Sequence, residues 1–195
     1  MSKYIGLEGG DGSGKTTVAE ALAERLRSVG EDVLLVREPG GTPLGEAIRG
    51  LLLDSAKLDD WAEVFLFAAQ RAELAREVVA PALNEGRWVV SDRTYYSSIA
   101  YQGRARGLGE QAVREINEIG LQGVVPDHVF VLDVSPETAL PRQHRSDRIG
   151  GEGPEFQEEV RKGYLGLAAS DPKVVVIDGG LSVGEIVEQI LGVVG

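Results

Sequence analysis

Eight consecutive residues near the start of the chain carry the strongest chemical signal: Gly9-Gly10-Asp11-Gly12-Ser13-Gly14-Lys15-Thr16. They fit the pattern G-x-x-x-x-G-K-[ST], and each part of it has a physical task. A glycine-rich turn lets backbone N–H groups converge on phosphate oxygens. A helix starting near Lys15 adds the positive end of its dipole. The lysine ammonium then reaches the β- and γ-phosphates, and the Thr16 hydroxyl is placed to ligate Mg²⁺. The pattern follows an apolar run and opens an amphipathic one, the context a nucleoside-triphosphate site needs. Alone it does not separate a kinase from a GTPase, a motor or a DNA-binding ATPase. A second anion site must do that. Val89-Val90-Ser91-Asp92 ends on a carboxylate, a further Mg²⁺ candidate, and His128–Asp133 ends likewise. Arg93 follows Asp92, where a guanidinium can face a transferring phosphoryl group.

These groups need a scaffold, and the pattern of apolar runs supplies one. Strands are expected at Tyr4–Leu7, Val33–Val36, Trp88–Val90, His128–Leu132 and Val174–Ile177. Their apolar character is continuous rather than alternating, as in parallel strands buried on both faces. Helices are expected between them. Val18, Leu22, Leu26 and Val29 make one stripe, stopped by Gly30. Trp61 to Val79 carries Val64, Ala68, Ala72, Ala75 and Val79. Gly109–Ile119 carries Val113, Ile116 and Ile119. A last helix opens at Ser182 with Glu185 at capping-box spacing. Strand–helix alternation gives an α/β fold of the P-loop NTPase type: three layers, with a five-stranded parallel sheet flanked by helices. The chain reads as a single domain over 1–195. Residues 141–154, PRQHRSDRIGGEGP, have no core stripe and read as a loop or a mobile lid over the site.

Composition narrows the partners. Twenty Lys and Arg against 31 Asp and Glu give a net charge of −11 over 195 residues, which argues against nucleic acid or a membrane surface as partner. Without cysteine there is no disulfide framework or thiolate zinc site. No run approaches the roughly 18 apolar residues of a membrane span, and no signal-peptide core is visible, so a cytoplasmic location is expected. Yet 15 of the 20 basic residues are arginine, several beside glycines. An acidic chain that keeps its arginines there is suited to a compact anion.

Five blocks in order resemble the bacterial thymidylate kinase family over essentially the whole chain. They are Leu7–Thr17 (LEGGDGSGKTT), Arg37–Thr42 (REPGGT), Leu66–Arg71 (LFAAQR), Asp92–Gly103 (DRTYYSSIAYQG) and Asp147–Ile149 (DRI). The resemblance implies transfer of the ATP γ-phosphate to dTMP, with Mg²⁺ as cofactor and a homodimer as the assembly. Phe67 and Arg71, four apart on a helix and hence on one face, are implied as the stacking surface and hydrogen-bond donor for thymine. Ser98 and Gln102 are implied at the base edge, and Tyr101 beside the sugar, where it leaves little room for a ribose hydroxyl. Glu38, Pro39 and Arg49 are implied around the acceptor's sugar and phosphate; Arg37 reads equally as a strand-end ion pair.

The family places an extra basic residue in the P-loop or in the lid. Here Gly12 follows Asp11, so the P-loop carries no Arg, and the chain resembles the members with lid arginines: Arg142, Arg145 and Arg148, three apart. Arg142 and Arg148, with Lys15 and Arg93, are the expected catalytic cations. No general base is required, since the acceptor is already a phosphate anion. The lid departs from the family's pattern: it is short, begins at Pro141, and has Gly150 where an acid is expected. Glu152 or Glu155 then stands as its substitute, and Asp11 as the better Mg²⁺ candidate. The adenine pocket is expected near Asp178-Gly179-Gly180 and a lid arginine.

Overall fold

The structure is a computed structural model that describes residues 3–54, 57–142 and 148–195. Five strands form one sheet: β1 Tyr4–Glu8, β2 Val33–Arg37, β3 Trp88–Asp92, β4 His128–Asp133 and β5 Val174–Asp178. All pairs are parallel, in the order β2-β3-β1-β4-β5. Each strand is longer at its C-terminal end than its apolar run, and each ends on a charged residue: Glu8, Arg37, Asp92, Asp133 and Asp178. The register sets Arg37 beside Asp92, Leu7 beside Asp92, and Glu8 beside Val131. The central strand β1 therefore empties into the crevice where the strand order reverses, the usual ligand position in such sheets.

Successive strand residues are buried on opposite faces. Ile5, Leu7, Phe130 and Leu132 pack under α1 (Lys15–Ser28) and α9 (Val183–Val194). Val129 and Val131 face the other way, toward Tyr96, Ile99, Tyr164 and Leu167. That second layer contains α2 (Pro43–Asp54), α3 (Asp60–Leu74), α4 (Ala80–Asn84), α5 (Tyr95–Ser98), α6 (Glu110–Leu121) and α8 (Pro154–Ser170), while α7 (Pro136–Ala139) follows β4 and packs beside α8. The Ser182–Glu185 capping box is formed, with both reciprocal hydrogen bonds.

Several local expectations change. Val29 and Ile119 leave their stripes and lie in solvent, 61% and 76% exposed: Val29 is the C-cap beyond the end of α1, and Ile119 falls off the buried Val113–Asn117–Leu121 stripe of its helix. The helix expected to Val79 passes through a π turn, Ala75–Val79, and continues past Pro81 into α4. The wider turn absorbs the proline, which has no N–H to give. α2, α8 and the α5 segment were not singled out by periodicity.

Candidate active site

Lys15, at the start of α1, is buried under the glycine-rich loop. Its Nζ donates to Gly9 O at 3.0 Å, Gly10 O at 2.7 Å and Ser13 Oγ at 3.4 Å. Burial, then the Arg93 guanidinium, pushes the ammonium pKa down to about 8. Thr16 Oγ1 donates to Asp92 Oδ2 at 2.5 Å. The other strand-end carboxylate, Asp133, is held bidentately by Arg161 at 2.6 and 2.9 Å. Of the two, Asp92 is the one beside the loop.

Gly12 explains why this loop carries no arginine. Its φ is +79°, and a Cβ there would lie 2.1 Å from the carbonyl oxygen of Ala139, at the end of α7. Backbone cannot yield as a flexible side chain can, so no side chain fits while α7 packs on the loop.

Arg93 sits at the turn after β3 with φ +75°, unusual for a residue with a Cβ. Strain of this kind costs about 1–3 kcal/mol and needs support from its surroundings. Glu8, fully buried, supplies it. Its carboxylate accepts from the N–H and hydroxyl of Thr94, the N–H and hydroxyl of Ser97, and Tyr164 OH. Gly6 makes room, since a Cβ there would stand 2.6 Å from Thr94 Cγ2. Arg93 then pairs with Asp11, donates to Ser97 Oγ at 3.2 Å, and lies over the Tyr101 ring at 5.2 Å. Burial alone would raise Asp11, but Arg93 and then Lys15 outweigh it and hold the carboxyl below its ordinary value. Gln157 also donates to Asp11, at 3.1 Å. Asp11 thus serves the arginine, while Thr16 and Asp92 form the hydroxyl–carboxylate pair.

The third group lies across the crevice. Arg71 is 2% exposed, pairs through Nε with Glu38, and donates from Nη1 to Ser98 Oγ at 2.7 Å and Asn117 Oδ1 at 2.8 Å. Its guanidinium stands 5.3 Å from the Phe67 ring centroid. Burial raises the Glu38 carboxyl, with Arg71 opposing. Arg49 donates to Pro39 O at 2.8 Å, and Arg37 pairs with Glu46. Gln102 donates from Nε2 to Glu63 at 2.7 Å. Ser98, Tyr101 and Gln102 flank the junction of α5 with a π-helical stretch, Ile99–Ala105, a geometry frequent at functional sites.

One cavity of about 780 Å³ joins these groups. Its wall runs from Gly12, Gly14, Lys15, Thr16 and Thr17 through Asp11, Asp92 and Arg93 to Pro39, Arg49, Phe67, Arg71, Ser98, Tyr101 and Gln102, with Arg142 at the lid side. Arg148, expected beside the phosphates, is held elsewhere: Nε donates to Leu52 O at 3.0 Å and Nη2 to Glu63. The buried Glu63 carboxylate draws it there. Glu152 pairs with Arg106, which accounts for the lid acid. Residues 178–180 do not line the cavity, and Gly180 N is bonded to Asp178 instead. Arg145 and Asp147 fall outside the described residues.

Glu8, Glu63, Asn117 and Gln157 were not read as site residues. Asn117 had a signal: it occupies the buried position between Val113 and Leu121, where an apolar residue belongs. Glu63 had another, being four residues before Phe67 and eight before Arg71 on one helix face.

A family model described as "Thymidylate kinase" matches residues 7–190. A thymidylate kinase from Pelotomaculum thermopropionicum is 48% identical over 177 residues, 88% of this chain and 82% of that one. One from Caldanaerobacter subterraneus subsp. tengcongensis is 45% identical over 181 residues, covering 91% and 87%. One from Synechococcus sp. (strain JA-3-3Ab) is 44% identical over 192 residues, covering 98% and 94%. No described helix is long and apolar enough to cross a membrane.

Proposed function

The chain belongs to the thymidylate kinase family, and from that premise we propose how its cleft moves the γ-phosphate of ATP to dTMP, giving dTDP and ADP. One observation carries the reading: the P-loop lysine and the Phe67–Arg71–Ser98–Gln102 cluster line one continuous cavity, with Arg93 between them. ATP phosphates take the loop N–H groups of residues 9–17 and Lys15. The dTMP phosphate takes Arg49, a planar fork matched to two oxygens. Its base stacks on Phe67 and meets Arg71, Ser98 and Gln102. Tyr101 closes the sugar pocket beside Glu38 and Pro39.

The acceptor phosphate is already an anion, so the chain has to position it and neutralise charge. Arg93 does this from the junction, fixed by Asp11, Ser97 and the Glu8 network. Arg142 adds charge from the lid, residues 141–154, which excludes water when it closes. We assign Arg148 to anchoring the lid's far end on Glu63. Thr16 and Asp92 would hold Mg²⁺, a hard cation that takes oxygen ligands, and the ion would supply charge stabilisation to the phosphoryl oxygens. Asp11 is paired with Arg93 and would serve the ion only indirectly.

The chain works as one such domain over 1–195. A reaction drawing on ATP and dTMP pools places it in the cytoplasm, with no nucleic acid or membrane partner. A homodimer is supported by the apolar side chains left in solvent on neighbouring helices: Leu51 on α2, Trp61 and Phe65 on α3, Ile119 on α6. Coupled measurement of ADP release with and without dTMP tests the reaction. Release is expected to depend on dTMP; equal release without it overturns the proposal.

A further inference from the structure

Glu63 is 1% exposed and accepts hydrogen bonds from three side chains. Oε1 takes Gln102 Nε2 at 2.7 Å and Arg106 Nε at 2.9 Å. Oε2 takes Arg106 Nη2 at 3.3 Å and Arg148 Nη2. A carboxylate facing two guanidiniums can only accept. It therefore fixes which end of the Gln102 carboxamide points where. Turned over, the amide would set its own oxygen against the carboxylate.

The other end of that amide faces the cavity. Gln102 is 1% exposed and lines the cavity wall, and its Oε1 accepts nothing from the described residues. Nearby, Arg71 has spent Nε and Nη1 on Glu38, Ser98 and Asn117, so Nη2 keeps its donors. The wall thus offers an acceptor next to a donor. Thymine and uracil present C=O, N–H, C=O along their pairing edge. A cytosine presents an amino group and a bare ring nitrogen, which would meet Arg71 and Gln102 with like groups.

Building on the dTMP reading above, we propose that Glu63 is the positioning residue that makes this pocket read an imide N–H, and so selects thymine-type over cytosine-type monophosphates without touching either. It acts through Gln102. Arg106 and Arg148 keep its charge compensated.

The test compares kcat/KM for dTMP and 5-methyl-dCMP, which share methyl, sugar and phosphate and differ only at ring position 4 and N3. Wild type is expected to favour dTMP at least about a hundredfold, because a mismatched edge leaves buried polar groups unpaired. In Glu63→Gln the amide can reverse. The ratio is expected to fall about tenfold, the size of one neutral hydrogen bond, with KM for ATP changed less than about twofold. A folded E63Q with an unchanged ratio overturns the proposal, as does a wild-type ratio below about tenfold. Should E63Q not fold, Glu63→Asp decides. Its carboxylate still only accepts, so the ratio is expected to hold while KM for dTMP rises; a lost ratio there overturns the idea. Absence of dTMP turnover by wild type would instead remove the functional reading itself.

Discussion

Raising the pH should uncouple ATP binding through one side chain, Lys15. Burial and Arg93 place its pKa near 8 in the free protein, against an ordinary value of 10.5. At about 1.4 kcal/mol per pKa unit, that displacement holds about 3 kcal/mol against the charged form. A polyphosphate beside the ammonium opposes both causes and raises the pKa again, so ATP binding is linked to proton uptake. The sign follows directly. Near pH 7 the ammonium is charged in both free and bound protein, and its contribution to affinity is level. Above pH 8 the free protein must first be protonated, and Kd for ATP rises about tenfold per pH unit. At pH 8.5 about 0.8 proton should be taken up per ATP, measurable by titration calorimetry in buffers of differing ionisation enthalpy. Burial pushes Tyr4, Tyr101 and Tyr164 further up and the chain has no cysteine, which leaves the α-amino group as the other ordinary titrating group near pH 8. The same displacement affects folding. The unfolded chain binds more protons between about pH 8 and 10.5, so Lys15's contribution to stability grows as pH rises through that range. A Kd level to pH 9.5 with no proton uptake would refute the reasoning about Lys15.

Three single substitutions and one double extend the test. Gly12→Ala forces a Cβ onto the Ala139 carbonyl at positive φ, so a loss of about 1–3 kcal/mol in thermal melts and a raised KM for ATP are expected. Arg142→Ala should lower kcat by about 10³-fold or more with an unchanged melting temperature, since that side chain is exposed and lines the cavity. Arg71→Ala strands Glu38 in the interior and should cost about 3–5 kcal/mol of stability. Glu38→Gln with Arg71→Met should recover most of the melting temperature but not dTMP binding by calorimetry, which separates the structural part of the pair from its part in binding.

The strands were legible because each carries a continuous apolar run: both faces are buried in the central β1, β3 and β4, less fully in the edge strands β2 and β5, where Val176 is 40% exposed. The same criterion stopped short of Glu8, Asp92 and Asp133, polar residues that belong to the strands; Asp92 lines the cavity, Glu8 is fully buried and Asp133 is held by Arg161. The phosphate loop and the Phe67–Arg71 face were legible because spacing alone places them. What stayed hidden was the layer behind them. Nothing local tells that Glu63 takes Gln102, Arg106 and Arg148 together, since those residues meet only after α3, the π-helical stretch and the lid have packed. Arg148 shows the consequence: arginines three apart in a polar loop read alike, yet a buried carboxylate draws one of them away from the phosphates.

On the proposed function, one cavity holds both nucleotides end to end. Competition by a bisubstrate molecule, adenosine joined to thymidine through a five-phosphate bridge, tests it most directly. Displacement of ATP and of dTMP alike is expected, with an affinity above that of either alone. Competition with only one of them, or with neither, would contradict it.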